Sequence, residues 1–336
     1  MKRDMTQWIA DAIADPHHRA LPILSFPGAH LEGITILELV RHGELQARCM
    51  RAIARRYPTL AAVSNMDLSV EAEAFGCDVA YGDLEVPTVK GNLIATPEQA
   101  DALRVPEVGE GRTGECLEAI RIAAREIADR PVLAGVIGPF SLAGRLTGLS
   151  EFIYHVMDDP DMVHVLLDKA TEFILRYAKA FKEAGANGIV MAEPAAGLLS
   201  PSWNAEFSVP YVKRIVDAVQ DDGFIVVYHN CGNTVPLMPG IVSTGAKAFH
   251  FGNAIAMKDV IGQVPPDRLA LGNVDPASQF VRGTPESVAE TVNALLAAMD
   301  GHPNFILSSG CDIPPQAPLE NIDAYFQALV SYTAHL

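Results

Sequence analysis

Short runs of apolar and β-branched residues recur along the chain, separated mostly by stretches whose apolar positions have helical spacing. Runs that are apolar throughout, such as FIVVY, are typical of parallel strands buried on both faces. The amphipathic stretches between them, for example Asp161–Glu183 and Pro285–Met299, predict helices. Eight strands are predicted in this way: Leu21–Phe26, Leu60–Asn65, Val132–Ile137, Gly188–Ala192, Phe224–Tyr228, Ala246–Phe251, Leu269–Gly272 and Asn304–Ser308. Eight strands alternating with helices predict an α/β fold, the (β/α)8 TIM barrel.

Two additions to the barrel are predicted. The pattern of apolar and polar positions from about residue 1 to residue 20 predicts an amphipathic N-terminal helical extension that covers the barrel. The crossover after the second strand, residues 67–130, is long enough for an insertion, with a hairpin at 77–95 and a helix over Gly114–Asp129. No linker or low-complexity tract divides the chain, so residues 1–336 are interpreted as one domain. No GxGxxG turn follows an early strand, which disfavours a doubly wound nucleotide-binding sheet.

Composition and charge exclude several classes of function. The formal net charge is −16, so phosphate neutralisation and nucleic-acid binding are not expected. No run of 18 apolar residues predicts a membrane span, and the N-terminus lacks the apolar core of a signal peptide, so we expect a cytoplasmic protein. The five cysteines are an odd number spread over a long chain, which disfavours a disulfide framework.

Polar residues that can bind metals are concentrated where the predicted strands end. His229 and Cys231, in HNC, lie two apart and therefore project to the same side of an extended segment. Cys311 ends the last strand, in SSGCD, and the strand ends of a barrel meet at one mouth. One histidine and two cysteines leave a fourth position open, as in catalytic zinc sites. The alternative is that the triplet occurs by chance and Cys311 is a small buried apolar residue.

Other strand ends carry weaker candidates. Glu193, in MAEPAAG, is a candidate fourth ligand, catalytic base or substrate contact, or else a carboxylate that caps a helix. Asp67 is a candidate catalytic residue at the mouth, or else structural. Four further residues are candidate substrate contacts or hydrogen-bonding supports of the site: His30, His250, Asn273 and Asp275.

These motifs together resemble a known family. HNCGN and SGCDIPPQAPLENI resemble the zinc motifs of the methylcobalamin:coenzyme M methyltransferases, in the uroporphyrinogen decarboxylase superfamily. FPGAH, VEAEAFGCDV, EAGANGIVMAEPAAGLLSP and LGNVDP are similar as well, so the resemblance covers nearly the whole chain. That family has the TIM-barrel fold, in agreement with the strand count.

The resemblance implies that His229, Cys231 and Cys311 hold Zn²⁺, and that the open position takes an acceptor thiol such as coenzyme M. Coordination to a dication deprotonates a thiol, and the thiolate can attack the methyl carbon. A partner corrinoid protein is expected to supply methylcobalamin, since this chain has no cobalamin-binding motif of the DxHxxG type. Position 193 departs from the family pattern, because it is Glu where Asp is expected.

Two alternatives remain open. The first is a metal-free tetrapyrrole decarboxylase, because Asp67 lies nine residues before Gly76, where the decarboxylases carry their catalytic aspartate. The arginine-rich N-terminal signature of those enzymes is absent, and FPGAH stands in its place. The second alternative is a non-catalytic corrinoid-binding or zinc-storage protein, in which Glu193 closes the zinc site permanently.

Overall fold

A computed structural model describes residues 3–334 of the 336-residue chain. Its centre is a curled parallel sheet of seven strands in the order β1-β4-β5-β6-β7-β8-β9. A separate antiparallel hairpin consists of β2 and β3. The strands are β1 Ala62–Val63, β2 Asp78–Ala80, β3 Thr88–Lys90, β4 Val132–Ile137, β5 Gly188–Ala192, β6 Ile225–Asn230, β7 Ala248–Phe251, β8 Leu269–Val274 and β9 Phe305–Ser309. The predicted α/β class and the hairpin in the insertion are confirmed.

The helices surround this sheet and connect its strands. They are α1 Met5–Ala14, α2 Gly28–Glu32, α3 Ile36–Arg41, α4 Gly43–Arg56, α5 Val70–Phe75, α6 Pro97–Ala102, α7 Thr113–Glu126, α8 Pro139–Thr147, α9 Leu149–Asp158, α10 Pro160–Ala184, α11 Pro201–Phe207, α12 Val209–Val219, α13 Met238–Ser243, α14 Pro285–Ala298 and α15 Leu319–Thr333. The predicted helices at 161–183 and 285–299 correspond to α10 and α14. Within the predicted extension at 1–20, α1 confirms a helix, and residues 1–2 lie outside the described residues.

Alternate residues of the strands form two separate apolar layers. One layer lies between the sheet and the helices, and the other fills the inside of the curl. The inner layer includes Val190 of β5, Val227 of β6 and Leu271 of β8, and Met5 and Ile9 of α1 pack against it. The N-terminal helix therefore covers one end of the curl, as its amphipathic pattern predicts.

The first predicted strand, Leu21–Phe26, is wrong as a strand. Ala20 forms single parallel bridges to Thr59, before β1, and to Leu307 of β9, so this segment lies between the two edges of the sheet. Pro22 has no N–H to donate, and the N–H of Ile23 bonds to the Ser309 hydroxyl at 3.1 Å instead of a backbone carbonyl. A regular ladder of backbone hydrogen bonds is therefore interrupted after Leu21.

Candidate metal centre

The three predicted metal ligands come together in the structure. His229 lies near the end of β6, Cys231 follows that strand, and Cys311 follows β9. One ligand atom from each lies within 4.8 Å of the other two, and the Cys311 sulfur is 3.8 Å from His229 Nε2. Among residues 3–334, no other three His, Cys, Asp or Glu side chains form such a group. Two strands separate β6 from β9, a span of roughly 14 Å in a flat sheet, so the curl of the sheet makes this site.

The glycine next to each cysteine, Gly232 and Gly310, packs closely against the backbone of a neighbouring segment. A Cβ at Gly232 would lie 2.7 Å from the Cα of Gly197, in the turn after β5. A Cβ at Gly310 would lie 2.8 Å from the backbone nitrogen of Asn253, in the segment after β7. Real Cβ atoms do not approach so closely, so glycine at these positions lets neighbouring strand ends hold the Cys231 and Cys311 segments.

The two thiols differ in acidity. A hydrogen bond from the Cys311 thiol lowers the pKa of Cys231 to about 7, while the same contact and burial raise the pKa of Cys311. The pair therefore favours the Cys231 thiolate near neutral pH, and a thiolate is the form that binds metal. Imidazole nitrogen with two sulfurs is a donor set that suits zinc.

His250, on β7, contacts the ring of His229. The two Nδ1 atoms are 2.7 Å apart, and the rings meet edge to face with centroids 4.6 Å apart. His250 Nε2 is 2.7 Å from the Ser308 hydroxyl, which donates to the Leu21 carbonyl at 2.7 Å. Burial, followed by the neighbouring His229, lowers the pKa of His250 well below its usual range. His250 thus supports a predicted ligand directly, and whether it also contacts substrate stays a prediction.

Glu193 follows β5 and contacts the start of α8. It is fully buried, and its Oε1 accepts from the Phe140 backbone N–H at 3.0 Å and the Ser141 N–H at 3.4 Å, at the start of α8. It is not a member of the His229, Cys231 and Cys311 group. Its backbone N–H donates to the His229 carbonyl at 2.8 Å. Burial raises the pKa of Glu193 to about 8, against the smaller lowering effect of the two backbone amides.

Asp67 lies after β1 in a buried ion pair. Arg112 contacts its Oδ2, and the Ser69 hydroxyl donates to its Oδ1 at 2.6 Å. Arg112 also donates through Nε to Glu73 at 2.6 Å and through Nη2 to the Ser69 hydroxyl at 2.8 Å. Both carboxylate oxygens of Asp67 therefore already have partners within the protein.

The remaining predicted contacts mostly serve their own loops. The Asn273 amide donates to the carbonyls of Gly252 and Ile255 at 2.9 and 2.8 Å. Asp275 Oδ1 accepts from the backbone N–H groups of Ala277 and Ser278, at the start of the turn after β8. His30 is exposed on α2. A substrate contact by any of these three residues stays a prediction.

Sequence reasoning did not single out three polar residues of this site: Ser25, Ser308 and Asp312. Asp312 directly follows Cys311, and the Ser25 hydroxyl lies 3.2 and 3.3 Å from its two oxygens. Burial, followed by the neighbouring Cys311, raises the pKa of Asp312 well above its usual range. A signal was present in the sequence for Ser308: it follows Ile306, which faces the inside of the curl, by two positions on the same strand.

The fold and the site define a class of α/β enzyme with a metal-competent group at the carboxyl ends of parallel strands. A model of the uroporphyrinogen decarboxylase (URO-D) family matches residues 20–332. The chain belongs to the uroporphyrinogen decarboxylase family, as its motifs predicted.

Within that family, the chain is similar to methyltransferases. It is 32% identical over 270 residues to the methylcobamide:CoM methyltransferase MtbA of Methanosarcina acetivorans, covering 79% of this chain and 78% of that one. It is 27% identical over 297 residues to the uroporphyrinogen decarboxylase of Coxiella burnetii, covering 83% and 79% of the two chains. A solved structure of a methyltransferase from Methanosarcina mazei has a TM-score of 0.86 at 25% identity, covering 98% of both chains. These relatives confirm the predicted kind of enzyme, a methyltransferase. In residues 3–334, no helix has both the length and the apolar character needed to cross a membrane.

Proposed function

We propose that this protein is a zinc-dependent methyltransferase that moves a methyl group from a methylated corrinoid protein to a thiol of the coenzyme M kind. The observation that carries this proposal is the convergence of His229, Cys231 and Cys311, with ligand atoms within 4.8 Å of one another. The relatives named methylcobamide:CoM methyltransferases support the donor and the acceptor.

The donor atoms fit zinc. His229 supplies Nε2, and the two cysteines supply sulfur, which leaves a fourth position for a thiol. When bound, zinc would supply the positive charge that keeps an acceptor thiol deprotonated and nucleophilic at neutral pH. The protein holds the three ligands at the ends of β6 and β9, and the surrounding loops would exclude water from the reacting sulfur.

We propose that Glu193 and Asp67 have structural roles and support the segments around the site. Glu193 holds the start of α8 against the strand that carries His229, through its Oε1 and its backbone N–H. Asp67 is held by Arg112 and Ser69, which disfavours a free catalytic carboxylate and therefore the metal-free decarboxylase. Because Glu193 is outside the ligand group, a site closed permanently by four protein ligands is also disfavoured.

We also propose that residues 20–26 take the place of an eighth strand and close the curled sheet into a barrel. The bridges from Ala20 to Thr59, before β1, and to Leu307 of β9 support this closure. A closed barrel would place Ser25 at the mouth, beside the segment that carries Cys311 and Asp312.

Metal analysis combined with a transfer assay tests the proposed function. We expect about one zinc per chain, because residues 3–334 contain one such group of three ligands. Cys231→Ser and Cys311→Ser should each lose most of the zinc and all methyl transfer from methylcobalamin to coenzyme M, and should keep the circular dichroism of the unchanged protein. Cys116→Ser, on α7 and away from the site, is the matched control and should keep both zinc and activity.

Two results would contradict the proposal. A Cys311→Ser variant that is replete with zinc and active would refute the ligand assignment. Protein that takes up no zinc, even when purified with added zinc, would favour decarboxylase chemistry at Asp67, and a tetrapyrrole decarboxylation assay would then be the next measurement.

A further inference from the structure

A chain of hydrogen bonds leads from a proposed metal ligand to the N-terminal segment. His229 Nδ1 is 2.7 Å from His250 Nδ1, and His250 Nε2 is 2.7 Å from the Ser308 oxygen. Ser308 Oγ is in turn 2.7 Å from the Leu21 carbonyl oxygen. All three side chains are at least 98% buried, so solvent does not compete for these contacts.

The hydrogens in this chain can be assigned from its last member. The Leu21 carbonyl can only accept, so the single Ser308 hydrogen must point to it. The Ser308 oxygen then has only lone pairs for His250, and His250 must donate to it from Nε2. A neutral His250 that is protonated at Nε2 presents a lone pair at Nδ1, and that lone pair can only accept a hydrogen from His229 Nδ1.

We propose that His250 and Ser308 are positioning residues that fix His229 in the tautomer with hydrogen on Nδ1, which leaves the Nε2 lone pair free for a metal. This inference rests on the proposed zinc function. The free Nε2 is the atom that lies 3.8 Å from the Cys311 sulfur, so the assigned tautomer directs the lone pair into the group of three ligands. Hydrogen bonds of this kind orient the ring and raise the basicity of a metal-binding histidine.

The opposite arrangement would need a charged His250 that donates from both nitrogens. His229 Nδ1 would then accept, its hydrogen would move to Nε2, and the ring could not bind a metal. His250 is 2% exposed, and its hydrogen-bonding side-chain partners within residues 3–334 are the neutral groups His229 and Ser308. An imidazolium without a carboxylate partner is costly at such a buried position.

The neighbouring serines of β9 provide a matched test. Ser308→Ala removes the acceptor for His250 Nε2, whereas Ser309→Ala removes an equally buried hydroxyl that accepts from the Ile23 N–H on the same N-terminal segment. Two properties are measured: the tautomer of His229 in zinc-free protein, by long-range proton–nitrogen NMR of nitrogen-15-labelled histidines, and zinc affinity by competition with a chelator dye. His250→Phe, which keeps an aromatic ring but cannot accept, is the second variant.

We expect unchanged protein and Ser309→Ala to carry the His229 hydrogen on Nδ1. Ser308→Ala and His250→Phe should show a population with hydrogen on Nε2 and should bind zinc about 10- to 100-fold more weakly. Equal effects of the two serine substitutions, or a His229 hydrogen on Nε2 in unchanged protein, would overturn the inference. Because the NMR measurement uses zinc-free protein, it remains decisive if the protein proves not to bind zinc, the result that would defeat only the proposed function.

Discussion

Two buried carboxyl groups have unusual protonation in the folded protein. Burial raises the pKa of Glu193 to about 8 and that of Glu71 to about 7. Each accepts backbone N–H groups through one oxygen, Glu193 at the start of α8 and Glu71 from Ile137 of β4, and each has an Oε2 with no hydrogen-bond partner in the described residues. Both groups therefore hold a proton in the folded chain at pH values where the unfolded chain has released it.

Glu193→Gln should change how stability depends on pH. Since the folded pKa is above the unfolded value of 4.5, this group makes the protein lose stability as pH rises from about 4.5 to about 8. The loss amounts to roughly 1.4 kcal/mol per pH unit for one group within that window. Glutamine stays neutral and can still accept from Phe140, so the variant should show a flatter pH profile in urea unfolding.

The control for this prediction is Glu183→Gln, an exposed glutamate on α10, which should leave the profile unchanged. If Glu193→Gln has the same pH profile as unchanged protein, Glu193 is ionised in the fold. Loss of zinc in this variant would instead indicate that Glu193 belongs to the metal site.

At the scale of elements, one arginine connects the insertion to the segment that follows β1 of the central sheet. Arg112, at the start of α7, contacts Asp67 after β1 and Glu73 on α5, and lies over the ring of Tyr81, which follows β2. The hairpin, α5 and α7 thus share one buried charge. These contacts explain how a long crossover can form an ordered structure.

Arg112→Met should destabilise the fold strongly, by about 3–5 kcal/mol, because it leaves the buried Asp67 carboxylate without a counter-charge. Arg104→Met is the matched control: Arg104 bonds to Glu110 at 2.7 and 2.6 Å, but its side chain is 66% exposed, so we expect little or no loss of stability. Chemical denaturation of both variants measures the difference. Equal losses would show that burial does not distinguish these two ion pairs.

At the scale of the whole molecule, the proposed closure between β1 and β9 can be tested. The Leu21 N–H donates to the Leu307 carbonyl at 2.9 Å, and the Leu60 N–H donates to the Ala20 carbonyl at 2.8 Å. If these contacts close the barrel, both amides should exchange hydrogen about as slowly as those of central strands such as β5 and β6, since all would open only in global unfolding. Fast exchange at Leu21 and Leu60, with slow exchange in β5 and β6, would indicate a sheet that opens between its edges.

The alternation of apolar runs and helical stretches determined much of this protein from the sequence. Parallel strands buried on both faces need continuous apolar runs, so β4 to β9 all lie within two residues of their predicted bounds. The bounds of β4 and β5 match the prediction, and those of β6 to β9 differ by one or two residues at one or both ends. The prediction was wrong at Leu21–Phe26, where Pro22 and a side-chain hydrogen bond to Ser309 interrupt the ladder. A periodic pattern records which residues are buried, but it does not record where each backbone N–H finds its partner.

The candidate site was also determined partly by the sequence and partly by the tertiary structure. Residue type and spacing sufficed to identify His229, Cys231 and Cys311 as candidate ligands, because imidazole and thiolate two positions apart on a strand end are recognisable locally. Only the tertiary structure decided that Cys311, 82 residues after His229, lies 3.8 Å from it, since that distance depends on the curl of the whole sheet. The structure likewise decided that Glu193 caps α8, that Asp67 pairs with Arg112 and that Ser308 supports His250, because these contacts join residues more than 40 positions apart in the chain.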